Sequence, residues 1–319
     1  MGIVNLSPYK EFYNTACKVI QEMDGPKVLI VTVQPFGFLK LGYLIHQKTG
    51  IKWIADYRDD WTTTELFVEG KTKQFLTQYY YPNLEKKWTS SANLITSVSQ
   101  HYVNKVLSFL NHKDLKGLMI QNGFFEEEFK NLPRFKPREC TISFVYIGSL
   151  YSTQNVDIIL KALNQALQIN YIPKQVIFTF LGTAMLSQKK EFLSKKYQNV
   201  NIEFYERLPK MESLHILRQH NYGIMSPHKN LKGIPSSKLY EFLGVRIPVI
   251  YFPNDHDIIH ETLEECKLGF TASNYNDLVS LFVKILKSNF SIERLACDQI
   301  NKFTRRQSTK LLVERILAL

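Results

Sequence analysis

Ten short apolar runs punctuate the chain: 27–33, 52–56, 93–97, 118–121, 141–147, 176–182, 200–204, 221–225, 247–252 and 268–272. They are β-branched or aromatic, and several lack polar alternation. Strands covered on both faces read this way, because neither face meets water. Between them lie amphipathic helices. Val156, Ile159, Leu160, Leu163, Ala166 and Leu167 form one stripe at helical spacing, and Leu278, Leu281, Phe282, Ile285 and Leu286 form another. Strand–helix alternation of this kind predicts an α/β fold with parallel sheets and helices on both faces. One break interrupts it. Residues 126–140, "EEEFKNLPRFKPREC", are charged, carry Pro133 and Pro137, and show no period, which reads as an interdomain linker. The expected organisation is a first domain over 1–130 with about four strands and a second over 139–297 with about six. Residues 298–319 read as a C-terminal helix able to pack back on the first domain.

At 319 residues the chain is long enough for two domains and a sizeable core. No run of 18 apolar residues occurs, so no membrane span is expected. The start, "MGIVNLSPYKEFYNTACK", lacks the basic and apolar regions of a signal peptide, and Leu6 breaks the myristoylation pattern. Cys17, Cys140, Cys266 and Cys297 show no metal or redox spacing, so buried or free thiols in a reducing cytoplasm are expected. The formal charge of +11 is dispersed in pairs such as Lys86–Lys87, Lys189–Lys190, Lys195–Lys196 and Arg305–Arg306. Such a field favours anionic partners, including nucleotides and phospholipid surfaces; a solvated basic surface is the plainer reading. No nucleic-acid-binding motif accompanies it, so nucleic acid is not an expected partner.

In open parallel sheets ligands sit beyond the carboxyl ends of the strands, so the loops there carry the information. "DYRDDW", Asp56 to Trp61, puts three carboxylates and Arg58 beside an aromatic. It reads either as a polar cluster at a cleft or as a surface turn with local ion pairs. In "GSLYSTQNV", Gly148 and Ser149 follow a buried strand and precede a helix beginning near Asn155. Glycine lets a backbone approach closely, and a helix start offers free N–H groups to an anion. Gly182 in "FLGTA" repeats the arrangement, and Arg207 and Leu208 occupy the loop of "ERLPKMESL". In "GIPSSKLYEFLGVRIPVIYF", Ser236 or Ser237 can cap a helix, Lys238 adds a point charge, and Glu241 projects from the same helix end. A carboxylate so placed can accept two hydrogen bonds from a vicinal diol such as a ribose; alternatively it only favours its own helix dipole. His256 and His260 are four apart but lack a third metal ligand and read as surface histidines. No metal site is expected.

In their order, "WIADYRDDW", "ANLITSVSQ", "IQNGFFEEEF", "FVYIGSLY", "FLGTA", "ERLPKMESLHIL" and "PSSKLYEFLGVRIPVI" resemble the family 4 retaining glycosyltransferases of GT-B fold, over about residues 25–300. The most similar members are bacterial enzymes of surface-polysaccharide assembly. The resemblance implies two Rossmann-like domains and transfer of a sugar from a nucleotide-diphosphate-sugar to a saccharide or lipid-linked acceptor. Transfer would retain anomeric configuration, need no metal and no cofactor, and take place in the cytoplasm or at the inner face of the plasma membrane. It implies that Glu241 holds the ribose hydroxyls, that Ser236, Ser237, Lys238, Gly148 and Ser149 face the diphosphate, with Gly182 on the same donor side, and that Arg207 and Leu208 meet the base. Arg58 and Asp59 fall where many members have a His-Asp pair lining the acceptor side, and are the candidate catalytic residues.

Three positions depart from the pattern. Ser149 and Asn155 stand where many members carry Arg and Lys, and Gly233 stands where a second carboxylate is common. The family also begins with a glycine-rich loop and further strands before the one at 27–33, so the N-terminal domain is expected to be incomplete. Its sheet would then carry an unpaired edge or an uncovered face. Completion by a second chain, instability and a truncated copy are the alternatives. The second functional reading is a non-catalytic or split GT-B remnant that keeps the fold and nucleotide binding.

Overall fold

A computed structural model of the chain describes residues 9–64, 71–112, 114–133, 140–150, 154–169, 175–229, 231–287 and 298–319. Its strands are β1 (Val28–Val33), β2 (Lys52–Tyr57), β3 (Leu94–Ser97), β4 (Lys116–Met119), β5 (Thr141–Ile147), β6 (Gln175–Leu181), β7 (Asn201–Tyr205), β8 (Tyr222–Met225), β9 (Val249–Tyr251) and β10 (Gly269–Thr271). The helices are α1 (Lys10–Glu22), α2 (Gly37–Thr49), α3 (Lys71–Phe75), α4 (Tyr81–Thr89), α5 (Gln100–Leu110), α6 (Glu126–Lys130), α7 (Val156–Ile169), α8 (Ser187–Lys196), α9 (Lys210–Arg218), α10 (Ser237–Val245), α11 (Ile258–Cys266), α12 (Tyr275–Lys287) and α13 (Arg305–Leu317). Every apolar run read as a strand overlaps one, most within a residue at either end. Two are displaced or shortened. β4 lies two residues earlier than 118–121, and β9 keeps only the centre of 247–252. Pro248 has no N–H to pair, and it contributes its carbonyl to Gly223 N at 2.8 Å just before β9 begins.

Residues Met1–Gln121 with Thr309–Leu319 form one compact unit, and Asn122–Ser308 form a second. The first holds a four-stranded parallel sheet in the order β1-β2-β3-β4. Trp53, Ala55 and Tyr57 of β2 and Ile95 of β3 share a core with Leu39 of α2, Trp88 of α4 and Val106 of α5. Trp61 stacks between Phe36 and Trp88, with ring centroids 5.1 and 5.8 Å away.

The second unit holds a six-stranded parallel sheet in the order β10-β9-β8-β5-β6-β7. Its two faces are both buried. Phe144, Phe178 and Phe180 pack with the α7 and α12 stripes on one side, and Val145, Ile147 and Val249 pack with Leu239, Phe242 and Leu243 of α10 on the other. The two-face burial explains why these strands lack polar alternation. Strand order reverses between β5 and β8, which opens a crevice at their carboxyl ends.

The sequence boundary at 126–140 differs from the unit boundary after Gln121, for a physical reason. Phe124 and Phe129 pack into the second unit's core, and Phe124 exchanges backbone hydrogen bonds with Phe303 and Arg305 at 3.2 and 2.9 Å. The charged stretch therefore supplies α6 to the second unit. Residues 134–139 of that stretch, 151–153 of the Gly148 loop and Cys297 lie outside the described residues. Cys17 and Cys266 are buried free thiols, and Cys140 is an exposed one. No described helix is long and apolar enough to cross a membrane.

Candidate functional site

In the second unit, the loops that follow β5, β6 and β8 converge at the crevice. Gly148 and Gly182 end their strands at φ +74° and +73°, a left-handed conformation that glycine takes without a Cβ clash. The two turns are tied together: Gly148 N donates to Leu181 O at 2.8 Å, and Thr183 Oγ1 donates to Gly148 O at 2.9 Å. Gln154 Nε2 donates to Ser226 O at 2.7 Å, which joins the start of α7 to the loop after β8.

Lys238 reaches across from the first turn of α10. Its ammonium donates to Ser149 O at 2.8 Å and to Tyr146 Oη at 3.0 Å, and sits 4.4 Å from the centroid of the Tyr146 ring. A Cβ at Gly148 would lie 3.0 Å from Lys238 Cε, so the glycine makes room for the lysine stem. Burial pushes the Lys238 ammonium down to about 8, against the opposing pull of Glu241. Lys238, Gly148, Ser149 and Gly182 are thus one cluster. Sequence reasoning missed Tyr146, because an aromatic inside an apolar strand run reads as plain core.

Glu241 lies one turn further along α10. Burial raises its carboxyl, Lys210 and Lys238 lower it, and the charge of Glu128 raises it. Lys210 and Glu128 pair with one another at 2.6 Å. Among the described residues Glu241 accepts no hydrogen bond, which leaves both carboxylate oxygens available. Ser236 is the residue before α10, but its hydroxyl makes no capping bond, contrary to the capping role expected of Ser236 or Ser237. Ser237 is exposed. Leu208 is half-buried against the core, while Arg207 is exposed and has no partner among the described residues. Gly233, at the position of the common second carboxylate, is buried at φ +70° and donates its N–H to Asp257 Oδ2 at 2.5 Å. A side chain there would be strained.

The Arg58 and Asp59 loop belongs to the first unit. Asp56, at the end of β2, is buried and accepts from Thr32 Oγ1 at 3.0 Å, Thr96 Oγ1 at 2.7 Å and Arg58 Nε at 2.9 Å. Asp60 pairs with Lys105 at 2.8 Å. Glu85, fully buried on α4, accepts from Thr62 N at 3.1 Å and Thr62 Oγ1 at 2.5 Å. The loop is held at both ends, and Asp59 stays exposed between them without a hydrogen bond among the described residues. Partial desolvation, then the charge of Asp60, raises its carboxyl. Glu85 escaped notice in the sequence because it sits in an ordinary helix, 23 residues beyond Thr62.

Among the described residues, no group of three or more His, Cys, Asp or Glu is placed to hold a metal ion. His256 and His260 make only an edge-on ring contact at 5.1 Å.

No protein-family model matches the chain, and no curated protein matches it in sequence. Solved structures do match in fold. An E. coli structure described as trehalose-6-phosphate bound with UDP-2-fluoro glucose superposes with TM-score 0.65 at 8% identity, over 97% of this chain and 78% of that one. The lipopolysaccharide outer core galactosyltransferase WaaB, in its apo form, gives 0.61 at 12% identity, over 96% and 79%. A putative UDP-N-acetylglucosamine 2-epimerase from Listeria monocytogenes gives 0.55 at 10% identity, over 96% and 78%. Identities this low carry fold and no activity, as a transferase and an epimerase in one group make plain. The chain is an α/β protein with two parallel sheets that match the GT-B glycosyltransferase fold of these neighbours.

Proposed function

We propose that the chain is a glycosyltransferase of the family 4 type, which takes a sugar from a nucleotide-diphosphate-sugar and delivers it to a saccharide or lipid-linked acceptor in surface-polysaccharide synthesis. The reading makes the transfer retaining and metal-independent. One observation carries it: an unpaired carboxylate, Glu241, and a desolvated ammonium, Lys238, share one helix end at the topological switch point, beside two positive-φ glycine turns.

That arrangement suits a nucleoside diphosphate. Glu241 would accept both ribose hydroxyls. Lys238 would exchange the Ser149 carbonyl for a diphosphate oxygen, where a charge-assisted bond is stronger than the one it gives up. The first-turn N–H groups of α10 and the glycine turns add positive potential without a metal. Such fixed donors stabilise the charge that develops on the leaving diphosphate. Arg207 and Leu208 would meet the base. In the first unit, Asp59 is the group free to act on the acceptor, with Arg58 fixed beside it by Asp56. Contact with the inner face of an anionic membrane follows from the charge of +11 and a lipid-linked acceptor.

The second reading, a unit that binds nucleotide without turnover, is favoured by Ser149. It contributes a backbone carbonyl, not a cation, to the diphosphate side. A panel of UDP-, GDP- and ADP-sugars, read by calorimetry and by release of free sugar, separates the two. Binding with hydrolysis or transfer supports the first reading, binding alone supports the second, and no binding to any nucleotide removes both.

A further inference from the structure

The outer edge of β1 carries no strand among the described residues, because β1 is first in the sheet order and pairs only with β2. Parallel sheets are normally covered on both faces and protected at their edges. Here Val31 and Val33 are buried on one face of β1, but Ile30, which points to the opposite face, is 43% exposed. The helix above is also half used. Cys17 of α1 packs with Leu41 and Ile45 of α2, and Leu29 of β1 joins the same cluster. Phe12 and Val19 on α1 and Met23 just past its end, spaced by seven and four residues, are 63%, 45% and 50% exposed. α1 therefore lies beside α2 and presents bare apolar surface outward from β1.

A cleft of about 910 Å³ opens at the foot of β1, lined by Val28, Ile51, Leu317 and Leu319 and by the stems of Lys27, Lys48 and Lys52. Among the described residues no Asp or Glu lines it. Lys27 donates to the backbone carbonyl of Ile20 and Lys48 lies 5.5 Å from the centroid of the Tyr13 ring, contacts that leave both charges unneutralised.

We propose that this edge is an interaction surface for an extended segment of a different polypeptide, which adds a strand parallel to β1 beneath Phe12, Val19 and Met23. Only an extended backbone satisfies a row of open strand N–H and C=O groups. The segment is apolar on both faces, toward α1 and beside Ile30, as a covered parallel strand is. Its N-terminal end, at the lysine-lined foot, carries acidic residues. A second copy of this chain fits poorly, since its own β1 is preceded by Lys27, and two chains of +11 repel.

The test places a photo-crosslinking residue at Val19, and separately at Ile30, of the full chain expressed in its own cells, with crosslinked peptides identified by mass spectrometry. Both positions should capture the same peptide of another protein, an apolar run with an acidic lead. A probe at Leu186, exposed on the second unit, should not capture it. Ile30→Lys should cut the Val19 product about tenfold, because it places a charge against an apolar strand. The melting temperature of the purified chain should stay the same, since residue 30 is exposed there. Peptides of this chain itself, including residues 1–8, would overturn the proposal. So would recovery of no common peptide at the two positions, or a Val19 product indifferent to Ile30→Lys.

Discussion

The strand-end polar clusters of the two units use charge in opposite ways. In the first, Asp56 has three partners, Asp60 has Lys105, and Glu85 has Thr62. Those carboxylates hold the loop still, with Glu85 Oε1 buried without a partner, and of the four Asp59 makes no hydrogen bond among the described residues. In the second, Glu241 is partly buried with no hydrogen bond among the described residues, and Lys238 is desolvated against a carbonyl and a ring. Burial without full pairing is costly in an empty protein, and a ligand can relieve it.

The sharpest way to break this comparison is Asp59→Asn. If Asp59 acts on the acceptor, transfer falls by about 10²–10⁴, the range for a general acid–base group, while the donor Kd is unchanged. A steady-state assay with calorimetry beside it reads both, and an unaltered rate removes Asp59 from the chemistry.

Next comes Glu241→Ala, which under the proposed function deletes two charge-assisted bonds to a ribose. Donor Kd should rise by about 10² or more, at roughly 1.5–3 kcal/mol per bond. The melting temperature should hold or increase, since an unpaired buried carboxylate has been removed. A fall in stability with unchanged Kd would make Glu241 a scaffold residue after all.

Asp56→Ala should do the reverse. Removal of a buried acceptor of three hydrogen bonds costs about 2–4 kcal/mol of unfolding free energy, measured in urea. Nucleotide affinity in the second unit should not change.

The smallest effect is in pH. Lys238 has a folded value of about 8, below its ordinary 10.5. Between those values the unfolded chain binds a proton that the folded chain lacks, so this residue makes stability rise with pH across that window. Nucleoside diphosphate affinity should run the other way, falling about tenfold above pH 8 as the ammonium loses its charge. Calorimetry in buffers of different ionisation enthalpy should detect proton uptake on binding near pH 8, and Lys238→Gln should abolish it.

Much of the fold was legible in advance for a simple reason. A parallel strand buried on both faces is apolar along most of its length, as in Phe144–Ile147 and Val176–Phe178, so the strands announce themselves locally. The loops after them were legible too, since glycine at a strand end marks a backbone that needs positive φ, as at Gly148 and Gly182. The N-terminal sheet was expected to carry an unpaired edge or an uncovered face; among the described residues β1 pairs only with β2, and Ile30 on one of its faces is 43% exposed. The reading erred where a charged run suggested a linker: Phe124 and Phe129 outweigh the Glu residues around them and bind the segment to the second core.

The sequence by itself determined the alternation of strands and helices, the number of strands on each side of the break, and the strand-end positions of Gly148 and Gly182. Those follow from local periodicity and backbone sterics, which act over a few residues. Tertiary structure alone decided that β8 lies beside β5, that Lys238 reaches Ser149 across 89 residues of chain, and that Glu241 goes unpaired while Asp56 does not. Such contacts depend on which surfaces the packed sheets bring within about 3 Å, the reach of a hydrogen bond, and no local pattern encodes that distance.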